Sequence, residues 1–354
     1  MFYQKDLVAV DFGSSCIKVV ALKKKGNKHI LQSQPHIFSI PRGIINQGTI
    51  EKYDELVSEM KKVVSKSKLF SKTKRCALSI GGNAAIVRRV EIDYLDVNIP
   101  LGDQVRQLAE QQFSNFDELF WAYSEIDDPD NVGQKSVILC AAKIDCVERY
   151  VSIMRRVGFK VGVIDSSILC IANTFAYNCQ KLPGLHMVLD LGATYSTVIC
   201  FLNGIYCLSR VVGIGGDYYT ACIASDLGMD EQRAENLKLS VGQGGSVSKN
   251  VAGVLHNVHE LLAQEIIQTL DFFNKNHGLK TGVQSLQSVF MLGGSSMIPG
   301  LSQIISKKCG VQVNQLNPFY GVNMQVSKSI KKKVELQTAF YGVCFGLGIR
   351  QVDD

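Results

Sequence analysis

Two short stretches carry residues whose types and spacing suit phosphate chemistry. Asp11, Gly13, Ser14, Ser15 and Lys18 fall within Val10-Asp-Phe-Gly-Ser-Ser-Cys-Ile-Lys18, and the pattern recurs 179 positions later as Asp190, Gly192, Ala193, Thr194 and Thr197. A turn rich in small residues aims several backbone N–H groups at one point and forms an anion nest. Two such turns facing each other would hold a polyphosphate from both sides. Asp11 and Asp190, each ending an apolar run, suit magnesium, which keeps its waters and bridges carboxylate to phosphate. Lys18 adds a point charge for the phosphates. Either stretch alone reads as an ordinary hairpin with an exposed Asp; the duplication is what argues for a ligand. Gly293-Gly294-Ser295-Ser296, after Val-Phe-Met-Leu, is a third glycine turn, where a ligand can approach the backbone. It suits the nucleoside end.

Other chemistries find no support. The sequence has no GxxxxGK[ST], no intact GxGxxG and no GxSxG, which removes P-loop, dinucleotide-fold and hydrolase-elbow readings. His256 and His259 stand three apart, not in an HExxH pattern, and read as a solvated helix face rather than a zinc site.

The elements that must position these residues follow from periodicity. Each phosphate turn joins two buried strands, at 7–12 with 16–22 and at 187–191 with 195–201. A third strand is expected near 29–40. Residues 42–150 have a separate texture: a polar amphipathic helix near 53–67, strands at 76–80 and 85–92 joined by Gly81-Gly-Asn83 as a hairpin turn, a helix near 102–113, strands near 119–126 and 136–142, and a helix at 145–158. That order predicts a small α+β insertion with its own core. A strand at 160–164 and an apolar segment at 167–177 return to the first lobe. The second hairpin closes through Asn203-Gly204, then come helical text at 217–239, a Gly/Ser loop at 242–248, a long amphipathic helix at 254–274, a strand at 288–292 and a last helix at 336–349.

A chain of 354 residues exceeds what one core usually organises, so two lobes are expected. A net charge of +6 fits an anionic ligand or membrane surface, while no basic segment is interleaved with aromatics as nucleic-acid binding would favour. Eleven cysteines without a CxxC pair predict reduced core thiols. The start runs into a strand without a signal-peptide core, and no apolar run reaches membrane-span length, so a cytoplasmic protein is expected. Residues 61–75 hold seven Lys/Arg and no acid, a solvated helix end and loop with lipid contact as the alternative.

On these motifs the chain resembles the actin-like ATPase superfamily, and within it the FtsA/PilM branch, above all the type IV pilus assembly PilM family. Residues 11–18 and 190–197 look like the two phosphate motifs, 292–299 like the adenosine motif, and 163–173 and 339–348 like the two connecting helices. Arg210-Val-Val-Gly-Ile-Gly-Gly216 followed by Ala234-Glu-Asn-Leu-Lys238 resembles the nucleotide-side segment of that branch. The resemblance implies a two-lobed α/β fold, actin-like and ribonuclease H-like. Its parts would be subdomain IA (1–41 with 151–184), an inserted IC that binds a partner (42–150), IIA (185–216 with 276–354) and IIB (217–275).

The resemblance also implies ATP with Mg2+ held near Asp11 and Asp190. Ser14, Ser15, Lys18, Ala193 and Thr194 would face the phosphates, and Gly215, Gly216, Glu235, Lys238, Gly293, Gly294 and Ser295 would surround ribose and adenine. Ser167 stands where relatives often carry an acid. Asp165 is the substitute catalytic carboxylate, and weak or no ATPase activity is expected. The implied role is a scaffold of pilus assembly and twitching motility at the inner face of the inner membrane, recruiting the cytoplasmic N-terminal peptide of a PilN-like protein at the IA/IC cleft, with self-association and further pilus components as other partners. An FtsA-like filament protein, disfavoured by the missing membrane helix after residue 350, and a small-molecule kinase of the same fold are the alternatives.

Overall fold

The computed structural model describes residues 7–26, 28–71, 73–92, 98–127, 135–179, 182–278 and 285–350. The expectations about both chain ends, Asn27 and Lys72 lie outside the described residues. The chain opens with β1 (Val8–Phe12) and β2 (Cys16–Ala21), then a lysine-rich hairpin of β3 (Lys23–Lys25) and β4 (Lys28–Leu31), then β5 (His36–Ser39). The single strand expected at 29–40 is therefore two, interrupted before the buried Pro35 and placed in different sheets, because proline removes a ladder donor. A clip of β6 (Ile45–Asn46) and β7 (Thr49–Ile50) leads through α1 (Tyr53–Lys66) to β8 (Arg75–Ile80). Next come β9 (Ala85–Ile92), α2 (Leu101–Gln112), β10 (Leu119–Ile126), β11 (Lys135–Lys143), α3 (Ile144–Arg156), β12 (Lys160–Ser166) and α4 (Ser167–Asn178).

The second lobe runs β13 (Leu185–Leu191), β14 (Ser196–Leu202), β15 (Ile205–Val212), α5 (Gly216–Leu227), α6 (Glu231–Gly242) and α7 (Lys249–Phe273). It ends with β16 (Leu286–Leu292), α8 (Leu301–Cys309), β17 (Gln312–Gln315), β18 (Asn323–Met324), α9 (Lys328–Glu335) and α10 (Gly342–Gly348). The helical text at 217–239 is two helices, since Gly228 takes a left-handed C-cap and Asp230 caps the next N-terminus. The long helix begins at Lys249 because Ser248 accepts the Val251 N–H. The last helix begins as a 3-10 turn at Thr338–Tyr341.

The duplication extends far beyond the two turns. One sheet has the order β12-β8-β1-β2-β5 and the other β17-β16-β13-β14-β15, and in each the first three strands in sequence are antiparallel neighbours while the last two join in parallel. Asp11 pairs with Lys18 and Asp190 with Thr197 at the same register. The helices α4 and α10 lie between the sheets, with Cys170, Ile171 and Phe175 of one meeting Cys344, Phe345 and Leu347 of the other in a shared core.

The segment 42–150 differs from the expectation. β8 does not form a hairpin with β9; it pairs in parallel with β1, and Gly81-Gly-Asn83 carries the chain from the first sheet into another. Leu56, Met60, Tyr150 and Ile153 of α1 and α3 pack with β1 and β8. The self-contained α+β unit is smaller: the sheet β10-β11-β9 covered by α2, around Ile92, Val105, Ala109, Val137 and Leu139. All eleven cysteines are free thiols, as expected, and no helix among the described residues is long and apolar enough to cross a membrane.

His259 also differs from its expected place. It is buried in the second lobe against Tyr219, ring centroids 5.5 Å apart, and its Nε2 has no hydrogen-bond partner among the described residues. Burial, with the nearby His256, pushes its pKa down to about 4. An imidazole held neutral in the native state favours unfolding once the unfolded chain takes up its proton, so its contribution is intact above about pH 6.5 and is lost as pH falls toward 4. Stability should drop by roughly 2 kcal/mol from this group alone between those limits. His259→Phe should remove that part of the acid sensitivity, measured as urea midpoints at the two pH values.

Candidate functional site

The two duplicated turns meet across the interlobe cleft. Gly13 N–H donates to the Cys16 carbonyl and Gly192 N–H to the Tyr195 carbonyl, both at 3.1 Å, and the hydroxyls of Ser14 and Thr194 lie 2.9 Å apart. Between and beside them opens a cavity of about 450 Å3. Fourteen of the residues expected there line it: Asp11, Gly13, Ser14, Ser15, Lys18, Asp190, Gly192, Ala193, Gly216, Glu235, Lys238, Gly293, Gly294 and Ser295. Thr194 joins through its bond to Ser14, and Gly215 lies under the second turn against Ala193 and Tyr195.

At the phosphate end, Asp11 is already satisfied: Ser79 donates to Oδ1 at 2.8 Å and Lys18 to Oδ2 at 2.9 Å. Burial lowers the Lys18 pKa, but the charge and hydrogen bond of Asp11 outweigh it and hold the ammonium protonated. The carboxylate of Asp190 has no hydrogen-bond partner among the described residues. Burial pushes it up to about 6, opposed by Lys18 and assisted by Asp11. A desolvated carboxylate without a donor, beside clustered backbone N–H groups, fits a hydrated divalent cation bridging to phosphate. No group of three or more His, Cys, Asp or Glu that could hold a metal ion is found among the described residues.

At the other end, Lys238 is buried and donates to the Gly216 carbonyl at 2.8 Å and the Thr220 hydroxyl at 2.9 Å, while pairing with Glu235 at 2.7 Å. Burial raises the Glu235 pKa, but hydrogen bonds from Lys238 and Thr220 outweigh it and keep the carboxylate charged. Ser295 donates to the Gly192 carbonyl at 2.8 Å, which ties the third glycine turn to the second. Gly293 has φ +82°, and a side chain there would meet the Leu191 carbonyl at 2.3 Å, so only glycine lets this turn sit against β13. Exposed Leu239, Met297 and Leu336 rim the cavity beside Phe340, an apolar mouth suited to a flat base.

Sequence reasoning missed Arg42. It reaches from the first lobe to Asp217 at 2.9 Å and to Glu235, partners so remote in sequence that only the fold reveals them. Tyr195, Gln243, Gln337 and Phe340 were also missed; of these, Tyr195 lay within a turn already singled out.

Asp165 is not in this cleft. β12 is an edge strand two places from β1, a displacement of roughly 10 Å at ordinary strand spacing. Asp165 there accepts from the Ser166 N–H at 2.8 Å and pairs with Arg350, and burial pushes its pKa up against that cation. Ser167, at the start of α4, faces the cleft instead. Asp165 and Arg350 line a second, larger groove of about 780 Å3. One wall is β10, with Phe120, Trp121 and Tyr123; the other is α4, with Leu169, Ala172 and Ala176. β10 is an edge strand, so the groove wall includes unpaired backbone groups.

A family profile described as type IV pilus assembly protein PilM matches residues 9–352. The chain belongs to the PilM family. Among solved structures, the PilM–PilN type IV pilus biogenesis complex superposes at TM-score 0.82 with 20% identity, covering 99% of this chain and 100% of that one. The ethanolamine utilization protein EutJ of Carboxydothermus hydrogenoformans follows at 0.58 and 12%, covering 98% and 90%. MreB5 of Spiroplasma citri bound to AMPPNP gives 0.52 and 12%, covering 95% and 99%. No curated protein sequence matches significantly. The PilM-family chain thus has the actin-like ATPase fold, as expected from its paired phosphate turns.

Proposed function

We propose that this PilM-family protein is a nucleotide-binding scaffold of type IV pilus assembly. Its cleft takes Mg-ATP, and its groove takes the cytoplasmic N-terminal peptide of a PilN-like inner-membrane protein. The groove carries the reading: an edge strand with exposed aromatics faces a helix across a space of peptide size, the setting for β-strand addition. The solved relative is a PilM–PilN complex, which supports the same partner class. Such a partner would hold the protein at the inner face of the inner membrane. The inserted subdomain is the β9–β11 unit with α2, and the peptide lies between it and the first lobe.

When bound, magnesium would neutralise phosphate charge beside Asp190 while the two turns supply backbone donors. With Asp165 outside the cleft and Ser167 within it, no carboxylate from the first connecting segment is present to position an attacking water. ATP turnover is expected to be weak or absent.

Trp121, the only tryptophan in the sequence, lines the groove and reports its occupancy. Titration with a PilN-type N-terminal peptide should shift Trp121 emission saturably, and the exposed Ala176→Arg should weaken the effect at least about tenfold by filling the groove. Unchanged emission, or equal binding by the variant, would rule out the groove as the peptide site.

A further inference from the structure

The end of the first sheet away from the phosphate turns gathers three basic segments that are far apart in sequence. Lys23, Lys25 and Lys28 are exposed on the β3–β4 hairpin. A small depression lined by Lys23, Gln32, Leu69 and Thr73 sets this hairpin against the loop bearing exposed Lys68 and Lys74. Gln32 in turn donates to Gln325 at 3.4 Å, and β18 pairs with β4. This brings the start of α9 alongside, where Lys328, Lys331, Lys332 and Lys333 are exposed while Ile330 and Val334 pack inward. Among the described residues none of these lysines pairs with a carboxylate. They outnumber the whole chain's net charge of +6, so the rest of the molecule is net acidic and its positive field concentrates on this face.

We infer that this face docks the protein electrostatically on an anionic phospholipid surface. The residues are lysines, which act as point charges on phosphate headgroups without the planar fork that reads nucleic acid. Phe70, beside Lys68, is buried, and the half-buried rings of His29 and His36 on this face are already packed against Tyr177 and Phe38, which disfavours base stacking. The apolar side of α9 is spent on the core, which makes the contact peripheral rather than inserted. Position adds to this. Tyr177 lines the peptide groove, and its ring meets His29 of the lysine hairpin, centroids 5.3 Å apart, so a membrane-anchored peptide would leave the groove beside this face. That last point rests on the proposed groove function; the charge argument does not.

The test is flotation of the full chain, without partner peptide, on mixed phosphatidylcholine–phosphatidylglycerol vesicles and on pure phosphatidylcholine vesicles. Each lysine at an anionic surface is worth about fivefold in partitioning. The triple variants K23Q/K25Q/K28Q and K331Q/K332Q/K333Q should each lose about a hundredfold. Binding should occur on the anionic vesicles alone and vanish in about 0.5 M salt. Thermal midpoints verify that the variants fold. No flotation on anionic vesicles, equal flotation on neutral ones, insensitivity to both variants, or stronger binding of these lysines to duplex DNA would each overturn the inference. Peptide titration through Trp121 separates the two claims: intact peptide binding with failed flotation sinks only the lipid face, and lost peptide binding in the parent sinks the groove reading.

Discussion

Replacing Gly346 with alanine is expected to destabilise the protein by at least about 3 kcal/mol, at the upper end for overpacking a core. Gly346 sits in α10 where it crosses α4, and a Cβ added there would lie 1.7 Å from the Cys170 carbonyl oxygen and 2.7 Å from the Thr174 hydroxyl. The nearest obstacle is backbone, so no rotamer change relieves it; the two helices must separate. Thr174 already bonds the Gly342 carbonyl across the same crossing at 2.6 Å, which leaves little slack. Gly253→Ala is the control. Gly253 is exposed inside α7 with open space around its would-be Cβ, and alanine there should gain roughly 0.5–1 kcal/mol. Denaturant midpoints for both variants test the contrast, and a Gly346→Ala protein within about 1 kcal/mol of the parent would mean that α4 and α10 are not in close contact.

Asp190→Asn should move stability and ligand affinity in opposite directions. A carboxyl whose folded pKa is raised to about 6 binds protons better in the native state, so its charge costs stability as pH rises from about 4 through 6. The amide removes that cost and should stabilise the protein by about 1–2 kcal/mol near neutral pH, with the gain disappearing below about pH 4. The same change deletes the carboxylate proposed to hold magnesium waters. Mg-ATP affinity by calorimetry should then fall at least about a hundredfold, about 2.7 kcal/mol. Stabilisation with lost binding marks a group retained for a ligand rather than for the fold. Affinity within a few-fold of the parent would remove Asp190 from the site.

The site was legible where chemistry repeats along the chain. Asp11 and Asp190 stand the same distance from their glycines, and the structure gives both turns the same hydrogen bond and both sheets the same strand order. What the sequence left hidden is partnership between strands. β8 and β9 alternate alike, and the glycines between them look like a hairpin turn, yet β8 pairs with β1 and β9 with β11. Asp165 was misplaced for a related reason. Nothing local reveals that β12 stands at a sheet edge, where its carboxylate meets Arg350 rather than the cleft. Arg42 follows Pro41 and looks like a loop charge, because its carboxylates arrive from helices of the other lobe.

The helix pair α4 and α10, with the two residues that follow α10, touches both cavities. Ser167 and Val343 border the cleft, while Leu169, Ala172, Ile349 and Arg350 border the groove. If filling the cleft shifts this pair, equilibrium thermodynamics requires the traffic to run both ways. Whatever factor nucleotide adds to or takes from peptide affinity, the peptide must impose on nucleotide affinity. Were ATP turnover as weak as proposed, nucleotide release would then follow a schedule set by the partner, and occupancy of the groove would stand where a motor has turnover.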